Sequence, residues 1–424
     1  MKASELKAKI QEGALTKYPK IYSDEARQRQ RFVDMLDGFI GLYGDSEAIL
    51  LSVPGRSEIS GNHTDHNRGC VLAGAIDRDV IAVATPCDDG VVRFFSEGYP
   101  MSEVKISDTD NADNFENYTS SALIAGMING FTKKGYKVGG MKVYSTSDVL
   151  KGSGISSSAA YEVMIGNALN HLYNDGAVKN EEIAKLAQYA ENAYFGKPCG
   201  LMDQMACAVG GFVYIDFADK DNPEVVPIDF ALSDRGYALC IVNTGGNHAD
   251  LNEDYASVPR EMKAVAKELG GDVLRGISEA ELVAKIPALR ESVGDRAVLR
   301  ALHFIRENER VRRARESLCA GELSDFFAAV NESGSSSFKY LQNVYTTHNV
   351  TEQGISLALA LAEGYLQGDG ASRVHGGGFA GTVQVFVKRE RLEGLCALMD
   401  SVFGSGAAVA FSVRPKGAIK LELN

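Results

Sequence analysis

Apolar positions along the chain recur with two periods, about 3.6 and 2, and their alternation lays out the elements. Residues 1–45 carry the helical period twice, and Phe32, Met35, Leu36, Phe39 and Ile40 form the apolar part of the second helix. Ala48–Val53, Val71–Ala75, Val80–Ala84, Val91–Phe95 and Met141–Ser145 are short apolar runs that predict strands. Ser121–Phe131, with Leu123, Ile124, Met127 and Ile128, predicts a helix, and Asp108–Asn117 before it is acidic and turn-rich. Beyond residue 160 the spacing of Ile165, Ala168, Leu169 and Leu172 is i, i+3, i+4, i+7, again helical. Glu181–Phe195 predicts a further helix whose buried stripe is Ile183, Leu186, Ala187, Ala190 and Tyr194. Phe212–Phe217 reads as a strand that closes the first half.

The second half opens with a strand at Ala238–Asn243, a helix within Asp250–Leu269 and a long helix at Leu299–Leu318. Short strands at Ser372–Val374 and Thr382–Val387, a helix at Glu390–Phe403 and strands at Ala408–Val413 and Ala418–Leu423 complete it. Strands alternating with helices in this way predict a small α+β sandwich. The long helix carries Arg300, Arg306, Arg310, Arg312, Arg313 and Arg315, interleaved with Glu307, Glu309 and Glu316. That interleaving predicts a solvated, ion-paired face.

Composition narrows the function classes. The chain has 424 residues, 45% hydrophobic and 24% charged, enough for two or three domains. A net charge of −12 argues against a nucleic-acid partner or an anionic membrane surface. Any anion site must then be made locally, from backbone N–H groups, a cation and a few basic side chains. Seven cysteines without a CxxC pair suit a reducing compartment and offer neither a disulfide framework nor a zinc site. The polar start, Met1-Lys2-Ala3-Ser4-Glu5, is unlike a signal peptide, and no apolar run is long enough to span a bilayer. The expectation is a cytoplasmic protein, monomeric or weakly dimeric.

Several polar or glycine-rich features interrupt the pattern. Leu150–Ala160 joins a strand to a helix through Gly152, Ser153, Gly154, Ile155, Ser156, Ser157 and Ser158. Glycines let backbone approach a ligand, and a serine-rich helix start offers N–H groups and a dipole to an anion. It is a candidate phosphate cradle or an ordinary N-cap, and it is not a Walker loop, because no Gly-Lys-Ser/Thr ends it. Pro54–Gly69 sets Arg56, Glu58, His63, Asp65 and His66 between apolar strands, so it either binds something or forms a turn-rich hairpin. Asp203 follows a glycine turn among apolar neighbours and is a candidate base or an Asx-type cap. Glu191 falls about 80° from the centre of its helix stripe, where it reaches a cleft or water. Gly376-Gly377-Gly378-Phe379-Ala380-Gly381 implies a backbone pressed close to something, such as a loop of the other domain.

Three of these stretches together resemble a known family. Pro54-Gly55-Arg56 with Gly61-Asn62-His63-Thr64-Asp65 resembles the galactokinase signature. Gly152–Ser158 resembles the phosphate loop of the wider galactokinase, homoserine kinase, mevalonate kinase and phosphomevalonate kinase (GHMP) family. Gly376–Phe379 resembles its C-terminal motif, and Cys199–Gln204 and Arg300–Arg310 look galactokinase-like. The resemblance runs from about residue 25 to the C-terminus. It implies an α+β chain of two domains, ribosomal-S5-like at 1–235 and ferredoxin-like at 236–424, with the site in the cleft between them. The implied activity is phosphoryl transfer from ATP, with Mg²⁺, to the anomeric hydroxyl of galactose or a close relative.

By the same resemblance Asp203 matches the base, and Arg56 matches the residue that steadies the phosphoryl group and keeps Asp203 ionised. Ser158 and Glu191 match the magnesium ligands, with Glu162 the alternative carboxylate. Gly152–Ser158 would hold the phosphates. Asn62, His63, Thr64, Asp65, Gly200 and Tyr255 match sugar-binding positions. The chain departs from the pattern at Asn62, where galactokinases usually carry Glu, and at His66, where they carry Tyr. Plant galacturonate kinases also lack that Glu and carry His in the second place, so a uronic acid or another modified galactose is an alternative substrate. Ser333-Gly334-Ser335, Ala371 and Ala380 are milder departures. A non-catalytic sugar and ATP sensor on the same fold is the other alternative; such proteins tend to lose part of the phosphate loop or the base, and both are present here.

Overall fold

The computed structural model describes residues 1–424 except 23, 150–153, 198, 247–250 and 424. In chain order the first elements are α1 (Ala3–Gln11), α2 (Glu25–Tyr43), β1 (Ile49–Ser60), β2 (Cys70–Cys87), β3 (Val91–Ser96), β4 (Ser102–Lys105) and α3 (Ser120–Lys133). They continue with β5 (Gly140–Ser147), α4 (Ser157–Tyr173), α5 (Asn180–Ala190), α6 (Met202–Val209), β6 (Phe212–Asp216), β7 (Glu224–Ile228) and β8 (Tyr237–Asn243). Then come α7 (Asn252–Glu268), α8 (Glu279–Ser292), α9 (Asp295–Ala320), α10 (Leu323–Ser336) and α11 (Gly354–Leu366). Last are β9 (Ala371–His375), β10 (Thr382–Lys388), α12 (Leu392–Phe403), β11 (Ala408–Phe411) and β12 (Ile419–Leu421).

The chain forms two compact units. The first holds Met1–Arg56, Ala75–Gly211 and Arg414–Asn424, and the second holds Ser57–Gly74 and Phe212–Val413. The division is therefore not a single cut at residue 235. Strands β1 and β2 each begin in one unit and end in the other, and the C-terminal β12 returns to pair with β1, Leu50 opposite Leu421.

In the first unit the strand order is β12-β1-β2-β5-β3-β4. Helices α1 and α2 cover part of it through Leu6, Ile10, Phe32, Leu36 and Phe39, which pack with Ile81, Val83 and Leu421. Burying such side chains is worth roughly 1.5–3 kcal/mol each. A buried charge cluster lies inside this unit. Asp79, 2% exposed, meets Arg31 at 2.6 Å and Arg414 at 3.0 Å, and accepts from the Tyr22 and Ser52 hydroxyls. Burial pushes its carboxyl up, but the two guanidiniums override that and hold it below the ordinary range. In the second unit Cys70–Gly74 pairs with β6, and β6 pairs with β7. A separate antiparallel sheet, β11-β8-β10-β9, packs its Val242, Val374, Val383 and Val385 with Leu359, Leu395 and Met399 of α11 and α12.

Several elements differ from the sequence reading. The polar run Pro54–Ser60 continues β1 rather than ending it, and its side chains are buried. The runs at 71–75 and 80–84 are one strand, β2. Helices α6, α8, α10 and α11 and strands β4 and β7 fall outside the elements the pattern predicts. Helix α8 buries Leu282 and Leu289 alone, too few for a stripe. Helix α11 reads GISLALALAEGYL, apolar on nearly every side, so no period stands out. Helix α9 is solvated on one face, as Arg306–Glu279 and Arg313–Glu332 show, yet Arg300, His303, Glu307 and Arg310 are buried. Those four recur at i, i+3, i+7 and i+10, a spacing that puts polar groups where a core stripe belongs.

Candidate active site

In the first unit Arg56 leaves β1 just after Gly55. A Cβ at Gly55 would meet the Ile155 carbonyl oxygen at 2.7 Å, so glycine is what allows the strand to lie against the serine-rich turn. The Arg56 N–H donates to that same carbonyl at 3.1 Å. Its guanidinium then reaches Asp203 with two parallel bonds, Nε to Oδ1 and Nη2 to Oδ2, both 2.7 Å, while Nη1 donates to the Gly154 carbonyl at 2.8 Å. Asp203 stands in the first turn of α6, where the helix dipole favours a negative charge.

Ser156 precedes α4 in the left-handed region, φ 62°, and its hydroxyl donates to Asp203 Oδ2 at 2.5 Å. Burial raises the Asp203 pKa, but Arg56 and Ser156 outweigh it and hold the carboxyl below the ordinary range. A carboxylate has about four acceptor positions. Three are used here, and the side chain remains 33% exposed. Asp203 is thus ionised, oriented and able to accept one more hydrogen bond.

A second acidic group lies in the same unit. Helix α5 runs into a π-turn, Glu191–Phe195, and Glu191 at its start is 2% exposed, so it faces neither water nor an open shoulder. Gln204 Nε2 donates to Glu191 at 2.8 Å and to Glu162 of α4 at 3.2 Å. Lys197 approaches Glu191 at 3.3 Å. Burial first, and then the charge of Glu191, push the Glu162 carboxyl well above its ordinary value. Glu162 Oε1 and Gln204 Oε1 are buried with no hydrogen-bond partner among the described residues. Ser157 and Ser158, in the first turn of α4, line a cavity of about 230 Å³ together with Phe94, Ser145 and Tyr161. Gly152 and Ser153 lie outside the described residues, and Gly200 sits half-buried just before α6.

The remaining candidates gather in the second unit around the glycine run. Three successive carbonyls there each receive a side chain. Asn62 Nδ2 donates to Gly376 at 2.7 Å, His63 Nε2 to Gly377 at 2.9 Å and the Tyr255 hydroxyl to Gly378 at 3.0 Å. A Cβ at Gly377 would strike the Tyr255 ring at 2.5 Å, and one at Gly378 would strike the Asn343 carbonyl at 2.0 Å. The close neighbours of the glycines therefore include residues 62, 63, 255 and 343 of this same unit.

Asn62 is 1% exposed and uses its whole amide on protein, since it also donates to Glu58 at 2.9 Å and accepts from Asn343 at 2.6 Å. Thr64 is fully buried, its hydroxyl 2.9 and 2.7 Å from the Gly61 and Cys70 carbonyls. Both therefore shape the loop rather than present a free polar atom. His63 is half-buried in the left-handed region, φ 57°, and burial holds its pKa well below the ordinary histidine value. With Nε2–H on Gly377, its Nδ1 is an acceptor. Asp65 keeps 18% of its side chain exposed and accepts from the His66 N–H.

Behind this loop runs a buried polar scaffold that the sequence reading missed. Glu307 accepts from the Gly61 N–H at 3.0 Å, from Arg310 Nε at 2.7 Å and from the Ser333 hydroxyl. Burial raises its pKa, but Arg310, His303 and Arg373 reverse that and bring it down to about 2. His303, driven by burial to about 4 and hence neutral, joins the Asn62 carbonyl to Ser336. Arg373 approaches Glu58 at 3.3 Å and donates to the Ile59 carbonyl. The polar i, i+3, i+7 spacing on α9 was the signal that could have found His303 and Glu307.

The family model for the GHMP kinases N terminal domain matches residues 122–211, which hold α4, Glu191 and Asp203. The galactokinase galactose-binding signature matches residues 37–86. A galactokinase of Streptomyces coelicolor is 30% identical over 377 residues, covering 88% of this chain and 93% of the relative. One from Clostridium tetani is 29% identical, covering 87% and 91%. The crystal structure of Lactococcus lactis galactokinase complexed with galactose superposes with a TM-score of 0.76 at 25% identity, covering 91% of this chain and 98% of that one. A mevalonate kinase structure shares the fold at a TM-score of 0.59 and 14% identity. The fold and the matched residues define a GHMP-type kinase, a phosphotransferase. Within that class, the chain belongs to the galactokinase family.

Proposed function

We propose that the protein transfers the terminal phosphoryl group of ATP to the anomeric hydroxyl of galactose or a close relative. The observation that carries this reading is the doubly hydrogen-bonded Arg56–Asp203 pair, with Ser156 as its third member. Asp203 accepts the hydroxyl proton on its remaining acceptor position as the oxygen bonds to the γ-phosphorus and the bond from that phosphorus to the bridging oxygen breaks, releasing ADP. A carboxylate this acidic is a weak base, but transfer through a loose transition state asks mainly for orientation and charge neutralisation. Arg56 supplies both: it fixes the plane of Asp203 and brings a permanent positive charge. The N-terminus of α4, with Ser157 and Ser158, supports phosphate binding through backbone N–H groups and the helix dipole.

The acidic group fits Mg²⁺. Glu162 and Gln204 carry buried acceptor atoms without donors beside Glu191, an acceptor excess that suits a hard cation. Ser158 and Glu191 would hold it, with Glu162 the alternative carboxylate. When bound, the cation neutralises charge on the transferring phosphoryl group.

A second reading concerns the sugar. Asn62 is neutral where galactokinases usually carry Glu. The acids behind it are each matched by a cation, Glu58 by Arg373 and Glu307 by Arg310. With Asn62 neutral, a carboxylate at C6 of the sugar would meet one acid fewer there than in galactokinases with Glu, which favours a uronic acid. ATP consumption over a panel of galactose, galactosamine derivatives, arabinose and galacturonate separates the readings. Sugar binding by calorimetry with no phosphate transfer from any of them would reject the kinase assignment in favour of a sensor.

A further inference from the structure

We propose that Cys396 of α12 and Cys240 of β8 form a peroxide-responsive dithiol, a site of reversible oxidation that ties the helix to the sheet beneath it. Both residues belong to the second unit.

Two elements with different periods build the pair. Along β8, Cys240 and Val242 alternate onto the face that packs against α11 and α12. Strand register fixes that position: Cys240 lies opposite Val385 of β10 on one side and Ala410 of β11 on the other. Along α12, Leu392, Leu395, Cys396, Met399 and Phe403 recur at i, i+3, i+4, i+7 and i+11, and the same apolar cluster takes up all five. The two stripes bring the thiols together, and the Cys240 S–H donates a hydrogen bond to Cys396 Sγ. Both cysteines are free, so the contact is between two reduced thiols.

The two sulfurs have different duties. Cys240 is fully buried, whereas Cys396 is only partly covered and a small oxidant can reach it. The hydrogen bond from Cys240 brings the Cys396 thiol down to about 7, against burial and the Asp400 carboxylate one turn further along α12. Much of Cys396 is then thiolate, the attacking form, at neutral pH. The same hydrogen bond, and after it burial, push the Cys240 thiol far up, so it keeps its proton. Elsewhere burial raises the thiols of Cys70, Cys87, Cys199 and Cys207, which leaves them poor nucleophiles.

The oxidant is a hydroperoxide. The Cys396 thiolate attacks one peroxide oxygen, the O–O bond breaks, and the leaving hydroxide takes up the proton that Cys396 gave up, forming water. Cys396 is then a sulfenic acid. The Cys240 sulfur attacks the Cys396 sulfur, the S–O bond breaks, and the hydroxyl departs with the Cys240 proton as a second water. Two thiols and one hydrogen peroxide thus give one disulfide and two waters. Sulfurs already in hydrogen-bond contact reach disulfide distance by side-chain rotation. The bridge closes the chain from β8 to α12 into one loop, which removes conformations from the unfolded state.

Reduced full-length protein, treated with a few equivalents of hydrogen peroxide and then alkylated in denaturant, should lose two of its seven reactive thiols by intact mass. Peptide mapping should join Cys240 to Cys396, and dithiothreitol should restore both. The bridged protein should melt at least about 3 °C above the reduced one, a shift that Cys396→Ser abolishes. Cys240→Ala removes the resolving thiol, so dimedone should label Cys396 as a sulfenic acid in that variant and not in the wild type. Cys319→Ser, which removes an exposed thiol outside the pair, should change none of these results. Full alkylation of Cys240 and Cys396 after peroxide, or a bridge from Cys396 to any other thiol, would overturn the assignment of the pair. An unmoved melting point in the bridged protein would show that the bond does not tie α12 to the sheet.

Discussion

In the first unit the Asp203 carboxylate meets Arg56 through two bonds and keeps 33% of its surface exposed; in the second, Glu307 meets Arg310 with none exposed. Both acids are held below their ordinary pKa against the penalty of burial. The difference lies in what remains. Asp203 has an acceptor position left over that water can reach, and near it in sequence Gln204 links Glu191 to Glu162, whose other oxygen has no donor among the described residues. Glu307 likewise accepts three bonds, from a backbone N–H, a guanidinium and a hydroxyl, but is sealed from water. A matched carboxylate sealed in the core fixes a loop, whereas one with an exposed acceptor position is available for chemistry.

The largest test acts on the first of these acids. Asp203→Asn keeps the shape but cannot take a proton, and turnover should fall about 10³-fold in a coupled ATP-consumption assay, with circular dichroism unchanged. Unaltered turnover would reject Asp203 as the base. Glu307→Ala should instead cost stability, about 3–5 kcal/mol in urea unfolding, because Arg310 and the Gly61 N–H lose their partner. The pH dependence has a defined sign. With the folded value near 2 and the ordinary value 4.5, Glu307 stabilises the protein above pH 4.5, and that contribution is lost as pH falls toward 2. Glu307→Gln should flatten the acid limb of stability across that window.

A smaller effect tests the sugar loop. Asn62→Glu brings a second carboxylate to a site 2.9 Å from Glu58, and should destabilise the protein by about 2 kcal/mol. Adding Glu58→Asn should restore most of that loss, a coupling that a double-mutant cycle reads directly. Asn62→Glu should also raise activity on galactose relative to galacturonate; an unchanged ratio removes the specificity argument. The smallest effect belongs to Tyr22→Phe. It takes one of several donors from Asp79, and should cost about 1 kcal/mol by thermal unfolding without a change in turnover.

Much of the α+β fold was legible because its elements are amphipathic. Helices α2 and α5 and strands β8 and β10 show their periods plainly. Helix α11 hid because it is apolar all round, and α8 because it buries two leucines. The candidate site was legible as motifs but not as contacts. Arg56 and Asp203 are 147 positions apart, and neither is informative about the other until the strand and α6 are side by side. Asn62 looked like a ligand group because it is polar in a polar loop. Its amide is consumed by Glu58, Gly376 and Asn343, partners up to 314 positions away.

Sequence by itself determined which residues have the chemistry: a guanidinium and a carboxylate after glycine turns, serines at a helix start, and an amide where the family usually has an acid. These are properties of single side chains and short spacings, and they survive without a fold. Tertiary structure decided which of those groups are satisfied and which are not. Satisfaction is a property of neighbours distant in sequence, and burial sets its energetic weight: the same carboxylate is a solvated surface group, a structural anchor like Glu307 or a poised acceptor like Asp203, according to the donors brought around it.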